Sequence, residues 1–143
     1  MTAGSYKVVF DTNTLISGHF WKGPPYRCVL AVESGLATLI LSDPILTEFS
    51  EKLTDKFGVS RSEVDPIVER WATRAELALI KGKAGWVPGD PDDDKIIETA
   101  LVGGAAIIVS GDHHLPTLGK VQGIEIVTAR QFLDRLAVGD AET

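Results

Sequence analysis

Four aspartates stand within five consecutive positions of the segment GDPDDDKIIETA, residues 89–100, where they are Asp90, Asp92, Asp93 and Asp94. Neighbouring carboxylates repel one another, so such a cluster requires a compensating cation, a helix-capping role or full exposure to solvent. One aspartate is enough to cap the helix predicted after this segment, and the helix dipole favours a second, whereas a third adds mainly repulsion. The crowding therefore favours a cation bound by part of the cluster, with Asp90 and Asp92 solvated or outside the immediate ligand set.

Three further acids lie where an α/β fold would bring them to the same place. Asp11 directly follows the apolar run YKVVF, Asp112 closely follows the apolar run AAIIV, and Glu48 lies about one turn inside the helix predicted after LATLILS. The carboxyl ends of parallel strands meet at one edge of a sheet, so these acids and the aspartate cluster are expected to converge there. Carboxylate-rich sites bind Mg²⁺ or Mn²⁺, and such ions activate water and neutralise phosphate during phosphodiester hydrolysis.

The pattern of apolar runs predicts strands that alternate with helices along the whole chain. Strands are expected at YKVVF, LATLILS, AAIIV and IEIVT, with LALI as a candidate short strand, and GKAGWVPGDPDDD is expected to be a loop. Nearly continuous apolar strands are typical of a sheet that is covered on both faces. We therefore predict a three-layer α/β/α fold with a central, mainly parallel sheet joined by right-handed crossovers.

Several predicted helices begin at residues that favour helix capping. Asp43 is expected to cap the helix after LATLILS, with a proline at its first position. In a capping box, a hydroxyl residue and an acid or amide three positions later exchange hydrogen bonds with each other's backbone. Two such boxes are predicted, at Ser60 with Glu63 and at Thr128 with Gln131.

The length and composition of the chain indicate one globular domain. We expect it to cover residues 1–143, with a core from about residue 6 to 137. No apolar run reaches the ~20 residues that cross a bilayer, and a secretory signal is not evident, so a cytoplasmic protein without membrane association is expected. The net charge of −6 argues at first against a nucleic-acid ligand. Without the seven acids of the predicted cluster, however, 13 acids remain against 14 bases, so the negative excess is local.

Three segments of the chain, taken in order, resemble a known family. VVFDTNTLISG resembles its opening strand with the first acid, LSDPILTEFSEKL the segment with a glutamate, and DPDDDKIIETALVGGAAIIVSGDHHL the third and fourth acids. The family is the PIN domain, in particular its small prokaryotic VapC-type ribonuclease toxins, and the resemblance extends from about Val8 to Leu136. It implies a PIN-like fold, an Mg²⁺- or Mn²⁺-dependent endoribonuclease with an RNA substrate, a cognate antitoxin and a homodimer.

The resemblance also implies roles for individual residues. The catalytic and metal-binding acids would be Asp11, Glu48, Asp93 and Asp112, with Thr12, Asn13 and Ser110 as hydrogen-bonding helpers. The third acid of the family typically precedes an apolar residue by three positions and a small residue by seven, which here are Ile96 and Ala100. This spacing favours Asp93 over Asp94. Asp94 lies at the position where many relatives have asparagine. Because of its additional charge, an altered metal site is an alternative.

Other functions are compatible with parts of the sequence. A haloacid-dehalogenase-like phosphatase also has an opening strand that ends in aspartate and later acids that hold magnesium. Its general acid lies two positions after the first aspartate, where this chain has Asn13, which cannot exchange a proton in that way. A phospho-receiver domain fits less well because no clear lysine follows the last strands. A non-enzymatic alternative is a catalytically idle module that keeps its acids for magnesium-assisted RNA docking or protein assembly.

Some basic and aromatic residues are candidate nucleic-acid contacts. They are four lysines near loops, Lys22, Lys81, Lys83 and Lys95, the histidines His113 and His114, and the tryptophans Trp21 and Trp86. Scattered lysines and loop histidines more often serve only to solvate a surface, and a loop tryptophan more often covers the core than stacks on a base. Trp71 is expected to pack in the core or in a subunit interface, and Cys28 to be a buried apolar residue without a catalytic role.

Overall fold

The computed structural model describes residues 6–82, 91–111 and 119–142. Six residues that were singled out in the sequence lie outside these ranges: Lys83, Trp86, Asp90, Asp112, His113 and His114. The side chain of Asp92 also lies outside the described set, although its backbone belongs to a helix. The predictions for these seven side chains therefore stay predictions.

Within the described residues, six strands form one sheet with the spatial order β3-β2-β1-β4-β6-β5. They are β1 (Tyr6–Phe10), β2 (Ala37–Leu41), β3 (Glu76–Leu77), β4 (Ile107–Val109), β5 (Lys120–Val121) and β6 (Ile124–Val127). Neighbouring strands are parallel except for β5 and β6, which pair antiparallel at one edge. The mainly parallel sheet predicted from the sequence is confirmed.

The described helices cover the sheet in two layers. They are α1 (Thr12–Phe20), α2 (Pro24–Glu33), α3 (Asp43–Asp55), α4 (Arg61–Arg74), α5 (Pro91–Gly103) and α6 (Ala129–Glu142). α1 and α2 pack against each other and against β1 and β2, whereas α5 packs across β1, β2 and β4. The chain moves outwards from β1 to β3 and then returns through α5 to β4. Because crossovers are right-handed, this reversal puts α5 on the face opposite α1 and α2, which confirms the predicted three-layer fold.

Uninterrupted burial along the strands shows that both faces of the sheet are shielded from water. All three residues of Val8–Phe10 are fully buried, although successive side chains of a strand point to opposite faces. On α3, Ile45, Phe49 and Leu53 recur every four residues and are also fully buried, so they form one apolar stripe that faces the core. Glu48 lies outside this stripe and is therefore held near the surface.

The reversal of the chain creates a topological switch point between β1 and β4. Phe10 of β1 pairs with Val109 of β4, and the backbone N–H of Asp11 donates to the Val109 carbonyl oxygen at 3.1 Å. Asp11 and Ser110 therefore leave the sheet side by side at its carboxyl edge. Ligands of open α/β sheets bind in the crevice at such a point, so this edge is the candidate ligand-binding edge of the sheet.

The start of α3 differs from the prediction. The N-cap residue is Ser42 rather than Asp43, which forms the first helical residue with Pro44 after it. Ser42 makes no side-chain capping bond, since its hydroxyl is engaged with the Thr99 hydroxyl of α5 at 2.8 Å. A contact between distant segments has thus replaced the local cap that the sequence indicates.

The two predicted capping boxes have different outcomes. At the start of α6, the Thr128 N–H donates to Oε1 of Gln131 at 2.9 Å, and the Gln131 N–H donates to Oγ1 of Thr128 at 3.1 Å, which confirms the box. At the start of α4, the hydroxyl of Ser60 donates to Oε1 of Glu63 at 2.8 Å, and no side-chain bond caps the helix. That prediction is wrong, because the two side chains satisfy each other instead of the backbone.

Two short strands were misjudged from the sequence. β3 covers Glu76–Leu77 rather than LALI, and β5 was not predicted at all. β5 forms because Gln122 and Gly123 adopt positive φ angles of 52° and 82°, which fold Lys120–Val121 back onto β6. The antiparallel edge therefore depends on a tight turn.

Other expectations about single residues are confirmed. Cys28 is fully buried, and burial raises the pKa of its thiol to about 12. Trp71 is buried as well and packs edge-to-face against Phe49, with ring centroids 6.1 Å apart. In the part of the chain that the structure describes, none of the helices is long and apolar enough to traverse a bilayer.

The packing of α5 on β2 leaves no room for a side chain at Gly103. A Cβ atom there would lie 2.4 Å from Cγ2 of the buried Ile40. We expect Gly103→Ala to lower the free energy of unfolding by about 1–3 kcal/mol, the usual cost of overpacking a core. Urea denaturation would measure the change, with Gly111→Ala as the control because a Cβ at Gly111 meets its nearest atom at 4.0 Å. Equal destabilisation by the two variants would contradict the close approach of α5 to β2.

Candidate functional site

Asp11 occupies the junction between β1 and α1, where it is 5% exposed. Its Oδ1 accepts hydrogen bonds from the Thr14 backbone N–H at 2.8 Å and from the Thr14 hydroxyl at 2.6 Å. Its Oδ2 accepts a hydrogen bond from the Ser110 hydroxyl at 2.6 Å. Asp11 thus caps α1, and the predicted helper Ser110 reaches it from the end of the neighbouring strand.

The Asp11 carboxylate is costly to keep charged in this position. Burial raises the pKa of its carboxyl above the ordinary value, although hydrogen bonds from Ser110, Thr14 and the Gly111 backbone act in the opposite direction. A nearby cation would favour the charged form and offset the cost of burial. The Asp11 carboxylate is therefore suited to bind a positively charged ligand. Its burial goes beyond what capping a helix requires.

Glu48 lies on the second turn of α3 and contacts the start of α1. Its Oε1 accepts a hydrogen bond from the Thr12 hydroxyl at 2.7 Å and lies 2.9 Å from Nζ of Lys95. Its Oε2 lies 3.6 Å from Nζ of Lys52, one turn further along α3. Burial acts to raise the pKa of Glu48, but Lys95, Thr12 and Lys52 outweigh it and hold that pKa below the usual range. Glu48 is therefore a charged carboxylate fixed beside the residue that follows Asp11.

A second contact links α1 to α3. Nζ of Lys52 donates a hydrogen bond to Oδ1 of Asn13 at 3.2 Å. Thr12 and Asn13, the two predicted helpers on α1, are therefore both engaged with α3, the first through Glu48 and the second through Lys52. These bonds fix the distance between the two helices at the carboxyl edge of the sheet and restrict the orientation of the Glu48 side chain.

Asp93 and Asp94 lie in the first turn of α5, where both side chains are buried, with exposures of 7% and 5%. The dipole of α5 favours negative charge at this end. The next residue, Lys95, reaches across to Glu48, so the start of α5 lies next to α3. Burial of both aspartates does not distinguish between them, and the preference for Asp93 as the third acid stays a prediction.

Two buried polar contacts hold the N-terminal half of α5 in place. The Thr99 hydroxyl bonds to Ser42 at the start of α3, as described above, and also donates to the Lys95 carbonyl oxygen at 2.6 Å. Glu98 is 3% exposed and accepts hydrogen bonds from the backbone N–H groups of Lys81 at 2.8 Å and Gly82 at 3.0 Å. The position of Lys95 relative to Glu48 therefore depends on contacts that lie outside the site.

Sequence reasoning missed three polar residues that shape the site: Thr14, Lys52 and Glu98. The position of Thr14, three residues after a capping aspartate, was a usable signal, since the backbone N–H there is the usual partner of the cap. Lys52 follows Glu48 by four positions, a spacing that favours an ion pair on a helix. Nothing in the sequence signals the role of Glu98, because its partners are backbone groups of a distant segment.

The structure brings part of the predicted site together. Asp11, Ser110, Thr12 and Glu48 form one connected region at the carboxyl edge of the sheet, and Lys95 joins it from α5. Asp112, two positions after Ser110, lies outside the described residues. In residues 6–82, 91–111 and 119–142, no three histidine, cysteine, aspartate or glutamate side chains are grouped closely enough to hold a metal ion. The joint role of the four predicted acids therefore stays a prediction.

A groove of about 640 Å³ runs along the outer side of α3 and opens beside Glu48. Lys52 and Lys95 line it near Glu48, and Asp55 and Lys56 line it at the far end of α3. The acids Asp43, Glu51 and Asp55 line the groove together with Glu48, so four carboxylates and three ammonium groups share its lining. Lys95 was predicted as a phosphate contact, and its position on the groove is compatible with that role.

Comparisons with known proteins relate the chain to one family and to its fold. A family model described as a PIN domain matches residues 7–114. The structure of VapBC2 from Rickettsia felis, bound to a DNA fragment from their promoter, is similar with a TM-score of 0.56 and 14% identity, covering 84% of this chain and 96% of that chain. The T. brucei RRP44 PIN domain is similar with a TM-score of 0.56 and 11% identity, covering 96% of this chain and 84% of that chain. Identities this low establish a shared fold alone, and no curated protein sequence matches the chain significantly.

The buried charge of Asp11 predicts a pH-dependent effect of Asp11→Asn, which keeps a capping oxygen but removes the charge. The pKa of Asp11 is raised in the folded protein, so the folded state binds this proton more tightly than the unfolded chain. Wild-type protein without metal should therefore lose stability relative to Asp11→Asn as the pH rises above about 4, the ordinary pKa of an aspartate. Urea denaturation in chelator would measure the difference at each pH.

A matched control for this experiment is Asp134→Asn, because Asp134 is exposed on α6. Its difference from wild type should stay flat over the same pH range. A difference between Asp11→Asn and wild type that is flat, or that grows in favour of wild type, would contradict the account of Asp11 as a charge destabilised by burial.

Proposed function

Because this chain belongs to the PIN domain family, whose members are typically nucleases, we propose that it is a divalent-metal-dependent endoribonuclease that hydrolyses phosphodiester bonds of RNA. The observation that carries the proposal is the Asp11 carboxylate, buried at the switch point between β1 and β4 with a pKa raised by burial. Glu48 and the first turn of α5 stand close by, so carboxylates from separate segments approach one edge. A buried group with a perturbed pKa in the ligand-binding crevice of an α/β fold is the expected mark of an active site.

The donor groups fit a hard divalent cation. They are carboxylate oxygens supplemented by hydroxyls, the ligand type that Mg²⁺ and Mn²⁺ prefer. We propose Asp11, Glu48, Asp93 and Asp112 as the acids that hold the ion, with Asp94 as the neighbour whose charge tunes the site. Two of the hydrogen bonds on Asp11 come from hydroxyls, which rotate readily, so oxygen lone pairs become accessible without movement of the backbone. When bound, the ion supplies activation of water and stabilisation of charge on the scissile phosphate.

The remaining residues of the site orient these acids. Ser110 and Thr14 fix the two oxygens of Asp11, while Thr12 fixes Glu48 in its charged form. Lys95 balances the charge of Glu48 in the described contacts and stands on the groove from which RNA would approach. These residues hold the carboxylates in position before substrate arrives, which reduces the reorganisation needed during the reaction.

We also propose a biological setting for this activity. The fold shared with the VapBC2 structure supports a role as the toxin of a toxin–antitoxin pair, with a cognate antitoxin as partner. A homodimer and a cytoplasmic location belong to the same proposal. The phosphatase alternative gains no support from the site, because Asn13, at the position of its general acid, is an amide that accepts a hydrogen bond from Lys52.

The proposal predicts cleavage of a labelled single-stranded RNA in the presence of Mg²⁺ or Mn²⁺ and none in chelator. Asp11→Asn and Glu48→Gln should each reduce the cleavage rate by about 100-fold or more, since metal-assisted charge stabilisation contributes several kcal/mol and about 1.4 kcal/mol is tenfold. The exposed Asp134→Asn is the control and should cut RNA at the wild-type rate.

A parallel reaction with p-nitrophenyl phosphate separates the alternatives. Cleavage of this ester without cleavage of RNA would favour the phosphatase. If neither substrate is cut while RNA still binds, the chain is a binding module. RNA cleavage that persists in chelator, or in Asp11→Asn, would contradict the proposed mechanism.

The choice between Asp93 and Asp94 predicts unequal effects on metal affinity. Asp93→Asn should weaken Mn²⁺ binding by at least about tenfold, because a lost carboxylate ligand removes an ion pair in a buried site. Asp94→Asn should change the affinity less, since asparagine is common at the matching position in the family. Calorimetric titration with Mn²⁺ would measure both constants, and a larger loss in Asp94→Asn would reverse the assignment.

A further inference from the structure

Three exposed aromatic side chains contact one another at the ends of α1 and α3 that are distant from the candidate site. They are Phe20, Trp21 and Phe57, with exposures of 38%, 56% and 40%, and we call them the aromatic cluster. Phe20 stacks on Phe57 with ring centroids 4.7 Å apart, and Trp21 lies edge-on to Phe57 at 6.2 Å. Rings that pack together yet stay in contact with water form an apolar patch of the kind that marks a binding surface.

A strip of surface between α1 and α3 connects the aromatic cluster to the candidate site. At one end the Thr12 hydroxyl donates to Glu48, and at the other end Phe20 stacks on Phe57. The two helices therefore run side by side in the same direction. At 1.5 Å per residue, Glu48 and Asp55, the last residue of α3, are separated by about 10 Å along the axis, and Phe57 follows two residues later. A few nucleotides of one strand can cover such a distance.

Basic side chains accompany the strip along its length. Lys52 and Lys56 follow Glu48 at intervals of four residues, which places all three on one face of α3, and they line the groove beside it. Lys22 is exposed next to the aromatic cluster. Asp43, Glu51 and Asp55 also lie on this groove, so its surface is mixed in charge rather than uniformly basic. Its lysines are nevertheless spaced so that contacts to successive phosphates are possible between the site and the aromatic cluster.

We propose that the aromatic cluster is a subsite that stacks unpaired bases of the RNA substrate, while the lysines of the strip contact the intervening phosphates. This inference rests on the proposed ribonuclease function and names the part of the surface that holds substrate beyond the cleavage point. Proteins that bind single-stranded nucleic acid without sequence preference commonly use aromatic rings, which stack on bases, together with basic side chains, which contact phosphates. We favour RNA over a protein partner because one strand of RNA offers bases to the exposed rings and phosphates to Lys22 and Lys56, which lie on either side of the aromatic cluster in the sequence.

Substitutions of Trp21 separate stacking from simple apolar contact. Trp21→Leu keeps an exposed apolar side chain but removes the ring, whereas Trp21→Phe retains a ring. Affinity for a fluorescein-labelled, unstructured RNA of about 10 nucleotides would be measured by anisotropy in chelator, so that cleavage does not interfere. Trp21→Leu should bind about 5- to 150-fold more weakly than wild type, and Trp21→Phe should stay close to wild type.

The control variant is Leu36→Ala. Leu36 is 41% exposed and precedes β2, so it lies at the edge of the sheet opposite the candidate site. Its removal should leave RNA affinity unchanged. A second probe is an abasic chain of the same length, which offers phosphates without bases, and wild type and Trp21→Leu should bind it equally.

Each outcome bears on the inference. Equal affinity of wild type and Trp21→Leu for RNA with bases, an equal loss on the abasic chain, or no RNA binding by wild type would overturn the stacking subsite. Cleavage assays with Mg²⁺ or Mn²⁺ separate this failure from failure of the nuclease proposal. If wild type cuts RNA but Trp21→Leu binds it normally, only the subsite is wrong. If Trp21-dependent binding is found without cleavage, the subsite stands and the proposed nuclease function fails.

Discussion

The buried carboxylate of Asp11 is the constraint on which the arrangement of the site depends. A charge at this depth is tolerable only when its oxygens are satisfied, and the end of one strand and the first turn of one helix supply the partners. The register of β1 and β4 brings Ser110 beside Asp11, and the first turn of α1 supplies Thr14. The same bonds that make the charge tolerable also fix its position. Burial still raises the pKa of Asp11, so an additional positive charge at this point would be stabilising.

Charge balance explains why this acidic protein has lysines where its acids approach one another. Glu48 is held between two ammonium groups, with Lys95 reaching it from α5 and Lys52 from the next turn of α3. Ionic partners of this kind keep a half-buried carboxylate charged, and they also line the groove beside Glu48. The chain as a whole carries a net charge of −6, so attraction of the proposed RNA substrate would have to come from local groups of lysines rather than from the overall charge.

The parts of the fold that could be predicted are those determined by short-range patterns. The run of β1, the cap at Asp11 and the box at Thr128 each depend on neighbours in the sequence, and each is present in the structure. β5 was not predicted because it consists of only two residues and depends on the turn at Gln122. The cap of α3 was misassigned because Ser42 and Thr99, far apart in the chain, bond to each other. For the site, the strand ends indicated where Asp11 would lie, whereas the surroundings of Glu48 depend on contacts from α1 and α5 that no local pattern contains.

We propose that acids from separate segments meet at the switch point and bind a divalent cation there. Anomalous X-ray diffraction from crystals of the wild-type protein grown with Mn²⁺ would locate that ion. We expect an anomalous peak within coordinating distance of the carboxylate oxygens of Asp11 and Asp112, with the start of α5 beside it. A manganese ion bound elsewhere, or well-diffracting crystals without an anomalous peak at this edge, would contradict the proposed metal site.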